Sequence, residues 1–273
     1  MPNRTNRRSL AALTAVPVLA AGLTACGSGN DEDVLRVAAS PTPHAEILQY
    51  VKDELADDAG LEIEILEFSD YVQPNVATTD GEVDANYFQH QPYLDNYNAE
   101  NGTDLVGVGD VHVEPLGLYS KQLGSADDLA DGAQVAIPGD ATNGARALQL
   151  LADNGIIALE EGVDEDAATV EDIADNPKDL DIKPLEAAQL PRSLDDADAA
   201  VINTNYALEA DLAPEEDALL IEPSQGNPYA NLVATTPENE DDEKVVQLVK
   251  LLQSDKVKKF IEEEYDGAIL AAF

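Results

Sequence analysis

Val34-Leu35-Arg36-Val37-Ala38-Ala39-Ser40, followed by Pro43-His44-Ala45-Glu46-Ile47, decides the fold class. The first run is apolar and of strand length; the second opens a helix with a proline in its first turn and puts Ile47, Val51 and Leu55 on one face. Leu61 to Phe68 then alternates apolar and acidic residues, as a strand with one buried face does. Further on, the pattern predicts a helix over Val72 to Ala77, a strand over Val83 to Phe88, a helix from Pro92 and a strand over Leu105 to Val113. Strand and helix in series predict a parallel sheet covered by helices.

A second series of the same kind begins at Leu116-Gly117-Leu118-Tyr119-Ser120-Lys121. It predicts a short helix at Asp127 to Leu129, strands at Gln134 to Pro138, Ile182 to Leu185 and Ala199 to Ile202, and helices at Thr142 to Asn154 and Gln189 to Asp195. A third apolar strand, Tyr229 to Thr235, precedes two helices, Asp241 to Gln253 and Asp255 to Glu264. Val245, Leu248, Val249 and Leu252 repeat there at helical spacing. The order fits two α/β lobes between which the chain crosses twice, residues 34–114 with 229–273 in one and 115–228 in the other. No internal repeat of fixed period is present.

Outward toward the N-terminus, the single cysteine, Cys26, ends the run Leu23-Thr24-Ala25-Cys26. Residues 1–25 have the parts of a signal peptide: Arg4, Arg7 and Arg8, an apolar run from Leu10 to Leu23 too short to span a bilayer, and small residues at the cut. Leu23 three residues before the cysteine resembles the lipobox at which bacterial lipoproteins are cleaved and acylated, a thioether chemistry that needs the thiolate. Arg7-Arg8 leaves secretory and twin-arginine export both open. Residues 26–33, rich in Gly, Ser and acids, read as a tether. The expectation is an exported protein, lipid-anchored to the outer face of the cell membrane through Cys26.

Without residues 1–25 the chain is 248 residues long, enough for one large or two moderate domains. Its formal charge of −40 becomes −43 when Arg4, Arg7 and Arg8 leave. Such a surface repels nucleic acid and anionic head groups, and neither is expected as a partner. No segment matches a calcium-binding loop, and His44, His90 and His112 lack metal-ligand spacing, so no metal and no cofactor are expected.

Four segments place aromatic, amide and guanidinium groups at ends of predicted strands, where open α/β sheets bind ligands. They are Phe68-Ser69-Asp70-Tyr71, Tyr87-Phe88-Gln89-His90-Gln91-Pro92-Tyr93, Pro138-Gly139-Asp140-Ala141-Thr142-Asn143-Gly144-Ala145-Arg146 and Ala200-Val201-Ile202-Asn203-Thr204-Asn205-Tyr206. A fifth, Asn227-Pro228-Tyr229-Ala230-Asn231-Leu232, precedes the return crossing. Together with Pro43-His44-Ala45-Glu46, Asn176-Pro177-Lys178 and Leu190-Pro191-Arg192-Ser193-Leu194-Asp195-Asp196, their order from Val34 to Phe273 resembles the methionine-binding lipoproteins of ABC importers, the NlpA-type lipoprotein family.

The resemblance implies a two-lobed, periplasmic-binding-protein-like fold of type II, with two hinge crossings and the ligand in the cleft. It implies L-methionine as ligand, the permease of an ABC importer as partner, and no catalysis. Carried over singly, Tyr71, Phe88, His90 and Tyr93 match the family's aromatic pocket, which suits a polarizable thioether. Arg146 matches the arginine that takes the ligand carboxylate, and Asn203 and Asn231 match asparagines that bond the ligand's amino and carboxylate groups. Arg146→Ala or Asn231→Ala is then expected to lose binding while folding survives.

Read without the resemblance, Tyr71 and Tyr93 are half-buried core rings and His90 a satisfied structural histidine, whereas Arg146, which could be a helix-surface cation, is one of only 12 basic residues beside 55 acidic ones once residues 1–25 are removed, which favours a specific role. Arg192 reads as an ion-pair partner of Asp195 or Asp196, and His44 and His112 as structural. D-methionine, a methionine derivative or a methionine-containing dipeptide would suit the same fold. A lipid-anchored adhesive or structural surface protein fits anchor and charge but leaves the Arg, Asn and aromatic groups unexplained. A hydrolase lacks its nucleophile elbow and metal-spaced histidines.

Overall fold

The computed structural model describes residues 34–164, 166–224 and 226–273. Cys26, the signal segment and the tether lie outside them. Two sheets organise the chain. The first holds six strands: β1 Val34–Ala39, β2 Glu62–Glu67, β3 Ala85–His90, β4 Val106–Val113, β12 Ala230–Thr235 and β13 Leu270–Ala271. The second holds five: β5 Gly117–Tyr119, β6 Gln134–Pro138, β9 Asp181–Leu185, β10 Ala199–Ile202 and β11 Ala218–Ile221. A ribbon of β7 Ala158–Leu159 and β8 Ile173–Asp175 stands beside them. The result is a two-lobed α/β fold in which the chain leaves the first sheet after β4 and re-enters it at β12.

The sheets are mixed, which corrects the wholly parallel arrangement expected. β1 pairs in parallel with β2 and β3, and β6 pairs in parallel with β9 and β10. β12, however, runs antiparallel between β3 and β4, and β5 runs antiparallel between β10 and β11. β12 and β5 are each entered from the other sheet and not across a helix, so no crossover fixes a parallel direction.

Apolar periodicity becomes burial where it was read. Ile47, Val51 and Leu55 meet Val245, Leu248, Leu252, Val257 and Ile261 over the first sheet. Fully burying each such side chain contributes about 1.5–3 kcal/mol. A second core forms between β6, β10 and the helix Ala141–Asp153, around Val135, Ile137, Leu148, Leu151 and Val201. Gly144 lets this helix sit tight on β6, since a Cβ there would lie 2.9 Å from the Pro138 carbonyl oxygen. That close approach brings Arg146 inward from the helix surface, and it is buried. Behind β3, Asn75, Thr78, Asn86 and Gln89 bond one another through their side chains at 2.7–3.0 Å, a buried network that ties the helix Gln73–Thr79 to β3. The ion pair expected of Arg192 is made by another residue: Lys121 Nζ reaches Asp195 at 2.5 Å on the surface.

Candidate functional site

Tyr71 stands in the turn after β2, where Asp70 Oδ1 accepts the N–H groups of Val72 and Gln73 at 2.7 and 2.8 Å and starts the helix Gln73–Thr79. Phe88 and His90 end β3, and Tyr93 lies in the first turn of the helix Gln91–Asn101. Tyr71, Phe88 and Tyr93 form a triangle with ring centroids 5.9–6.0 Å apart, closed by a bond from the Tyr93 hydroxyl to the Tyr71 carbonyl at 3.0 Å. These spacings are those of tilted and edge-on aromatic pairs.

The polar end begins at two helix N-termini. Asp140 caps the helix Ala141–Asp153 and accepts both the backbone N–H and the Nδ2 of Asn143, at 2.9 and 3.0 Å. Asn143 Oδ1 so held accepts from His90 Nε2 at 3.1 Å and from Asn203 Nδ2 at 3.0 Å. His90 Nδ1 takes the Tyr93 N–H at 3.2 Å, which assigns the proton to Nε2. Asn205 donates its N–H to Glu114 Oε2 at 3.0 Å and accepts the Tyr71 hydroxyl at 2.5 Å on Oδ1. Of the five buried side-chain atoms without a partner among the described residues, two belong to residues that line the polar end, the acceptor Asn203 Oδ1 and the donor Asn205 Nδ2. An unmade bond at a buried polar atom costs about 1–3 kcal/mol, so such a pair at a cavity wall points to a ligand.

One cavity, with about 350 Å3 of atom-free space partly open to solvent, is lined by all seven residues singled out from the sequence: Tyr71, Phe88, His90, Tyr93, Arg146, Asn203 and Asn231. Glu114, Asn143 and Asn205 line it too, without having been assigned a role. Beneath it, His44 and His112 converge on Glu114. His112 Nε2 bonds Glu114 Oε1 at 2.7 Å, and His44 Nε2 lies 3.3 Å from the same oxygen and 3.0 Å from Asn231 Oδ1. These three form the one group among the described residues whose donor atoms could converge on a metal ion. The spacing of 2.7 Å is that of a charge-assisted hydrogen bond. Burial alone would push the Glu114 carboxyl up; His44, His112 and the Asn205 N–H outweigh it, and the group stays an anion, held below its usual range.

His44 and His90 are held neutral. Burial lowers His44 to about 4 against the opposing pull of Glu114, and burial together with the nearby Arg146 charge lowers His90 to about 3. As pH falls from 6.5, the unfolded chain takes up protons that the folded imidazoles refuse. These two groups therefore contribute stability that is present above pH 6.5 and is lost at about 1.4 kcal/mol per pH unit for each as the pH drops toward their folded values. In proton NMR the ring resonances of His44 and His90 are expected to stay fixed from pH 8 to 5; a midpoint near 6.5 for either would contradict this burial.

The NlpA lipoprotein family model matches residues 35–273. The chain belongs to the NlpA lipoprotein family. Among relatives, the D-methionine-binding lipoprotein MetQ of Escherichia coli is 42% identical over 258 residues, covering 93% of this chain and 94% of that protein. The methionine-binding lipoprotein MetQ of Bacillus subtilis is 41% identical over 261 residues, with the same coverage. Among solved structures, a nutrient binding protein from Burkholderia cenocepacia bound to methionine is 46% identical with a TM-score of 0.85, covering 88% of this chain and all of that one. These NlpA relatives are named for what they bind and not for a reaction. In this NlpA chain the two residues that accept hydrogen bonds from the guanidinium of Arg146, Glu222 through its carboxylate and Glu114 through its main-chain carbonyl, lie outside every segment that carried the resemblance.

Proposed function

We propose that the protein is an extracytoplasmic substrate-binding lipoprotein of an ABC importer, which captures L-methionine between its lobes and delivers it to the permease. The observation that carries this reading is the pair of buried, unpartnered atoms, Asn203 Oδ1 and Asn205 Nδ2, at the polar end of a cavity whose other end is an aromatic triangle. A free amino acid supplies what each lacks: an ammonium for the acceptor, a carboxylate for the donors, and in methionine a thioether for the rings. Arg146 and Asn231 complete the polar end, residues 34–114 with 229–273 form one lobe and 115–228 the other, and closure by hinge motion excludes water. Cys26 carries the lipid that holds the protein to the outer face of the membrane. Family membership and the names of the relatives support the same ligand class.

The test is calorimetric titration of the chain from Gly27, freed of ligand by unfolding and refolded in low and in high salt. L-methionine, D-methionine, methionine-containing dipeptides and other amino acids are the panel. Saturable one-to-one binding selective for L-methionine is expected; silence across the panel from folded protein would favour the adhesive role instead.

A further inference from the structure

The guanidinium of Arg146 is engaged along one edge by the protein itself. Nε donates to Glu222 Oε1 at 2.8 Å, and Nη2 donates to Glu222 Oε2 at 2.6 Å and to the Glu114 carbonyl oxygen at 2.7 Å. Tyr229 covers one face, its ring centroid 4.3 Å from the guanidinium carbon. Among the described residues nothing accepts from Nη1. The fork that could grip a ligand carboxylate through Nε and Nη2 is thus taken, and the Nη1 end remains.

Glu222 does more than occupy that fork. Its Oε2 also accepts from the Leu116 N–H at 2.9 Å and from Asn227 Nδ2 at 3.1 Å, and its own N–H donates to the Leu116 carbonyl at 3.0 Å. Leu116 lies on the connector from β4 to β5, and Glu222 and Asn227 lie on the connector from β11 to β12. One nearly buried carboxylate therefore bonds both interlobe connectors and the arginine at once.

We propose that Glu222 is a positioning residue for the ligand carboxylate: it fixes Arg146 so that only Nη1 is offered to the ligand, and ties that orientation to both connectors. This rests on the methionine reading above. With its charge compensated and its rotamer locked, Arg146 acts as an oriented donor and not as a mobile cation, and the ordering cost of binding falls. A ligand without a carboxylate gains nothing from that orientation, which separates positioning from a purely structural role.

The experiment is calorimetric titration of the chain from Gly27 and its Glu222→Gln variant with L-methionine and with L-methioninamide, in which a carboxamide replaces the carboxylate. Glu222→Gln is expected to weaken L-methionine at least tenfold and L-methioninamide far less, so that the ratio of the two affinities collapses. Glu222→Asp, which keeps the charge but is one methylene short of its partners, is expected to move the ratio the same way and serves if the Gln variant does not fold. Equal losses on both ligands would reduce Glu222 to a structural residue, and unchanged or tighter methionine binding would make it a bystander or a competitor for Arg146; each of these overturns the inference alone. Absence of methionine binding by the parent chain overturns the proposed function and this inference with it.

Discussion

Arg146→Ala is expected to lose methionine binding and, with it, a substantial part of the stability of the fold. Hydrogen bonds to a charged group contribute about 1.5–3 kcal/mol, so removal of Nη1 alone lowers affinity roughly ten- to a hundredfold. The larger effect lies on the other edge. The Arg146 side chain is 4% exposed and that of Glu222 11%, so the substitution strands a nearly buried carboxylate. Breaking a buried pair by removing one partner costs about 3–5 kcal/mol, a large share of the 5–15 kcal/mol that holds a typical domain together. The sequence alone suggests a variant that folds normally and merely fails to bind; the Glu222 pair changes that expectation. Urea unfolding of the parent and of Arg146→Ala, beside calorimetry, separates the two effects. A variant as stable as the parent would show that Glu222 is held by Leu116 and Asn227 alone, and a variant that still binds methionine would remove Arg146 from the site.

Strands were legible where burial is local and two-sided. Ala199-Ala200-Val201-Ile202 lies between Asp198 and Asn203, is buried at every position, and forms β10 with the bounds the sequence indicates. Leu61 to Phe68 was legible for the opposite reason, its acids and aliphatics alternating across a half-exposed strand. What could not be read was direction. Nothing within Ala230–Thr235 says that β12 enters between β3 and β4 and runs against both; that is fixed by where the chain returns from the other sheet. Elements of two or three residues, such as β7, β8 and β13, are too short to carry a period. The helix Thr204–Glu209 is not legible because it is six residues long, too short to show a helical period, and its N-cap residue Asn203 makes no side-chain capping bond.

The same contrast runs through the site. Aromatic and basic residues are scarce enough in this chain to stand out at strand ends, and Tyr71, Phe88, His90, Tyr93, Arg146, Asn203 and Asn231 do line one cavity. Glu114 and Glu222 are hidden among 55 acidic residues, most of them on the surface, and no spacing separates a buried carboxylate from a solvated one. His44 and His112, 68 positions apart in the numbering, meet only because β4 and the helical turn after β1 lie under the same cavity. The one available signal was the pair His112 and Glu114, two apart at the end of a predicted strand and so on the same face of it.

Glu114→Ala follows from that hidden group and is expected to cost several kcal/mol of stability together with most of the binding. The carboxylate accepts from His112 Nε2 on one oxygen and from the Asn205 N–H on the other, and it is buried. Each donor left without an acceptor in such a place costs about 1–3 kcal/mol, and a cavity of side-chain size adds to that. His44 loses less, because Asn231 Oδ1 still accepts from its Nε2 at 3.0 Å. Binding suffers through Asn205, whose backbone anchor disappears while its Nδ2 must still meet the ligand, and through the helix that begins at Thr204. Glu114→Gln tests the charge separately from the shape. A neutral amide keeps one acceptor but points an N–H₂ group at a donor, either His112 Nε2 or the Asn205 N–H, so it is expected to recover only part of the loss. Thermal unfolding and methionine titration of the two variants give the answer: equal stability of parent and Glu114→Ala would mean that the histidines hold this region without the carboxylate, whereas full recovery by Glu114→Gln would mean that its negative charge is irrelevant and only its volume matters.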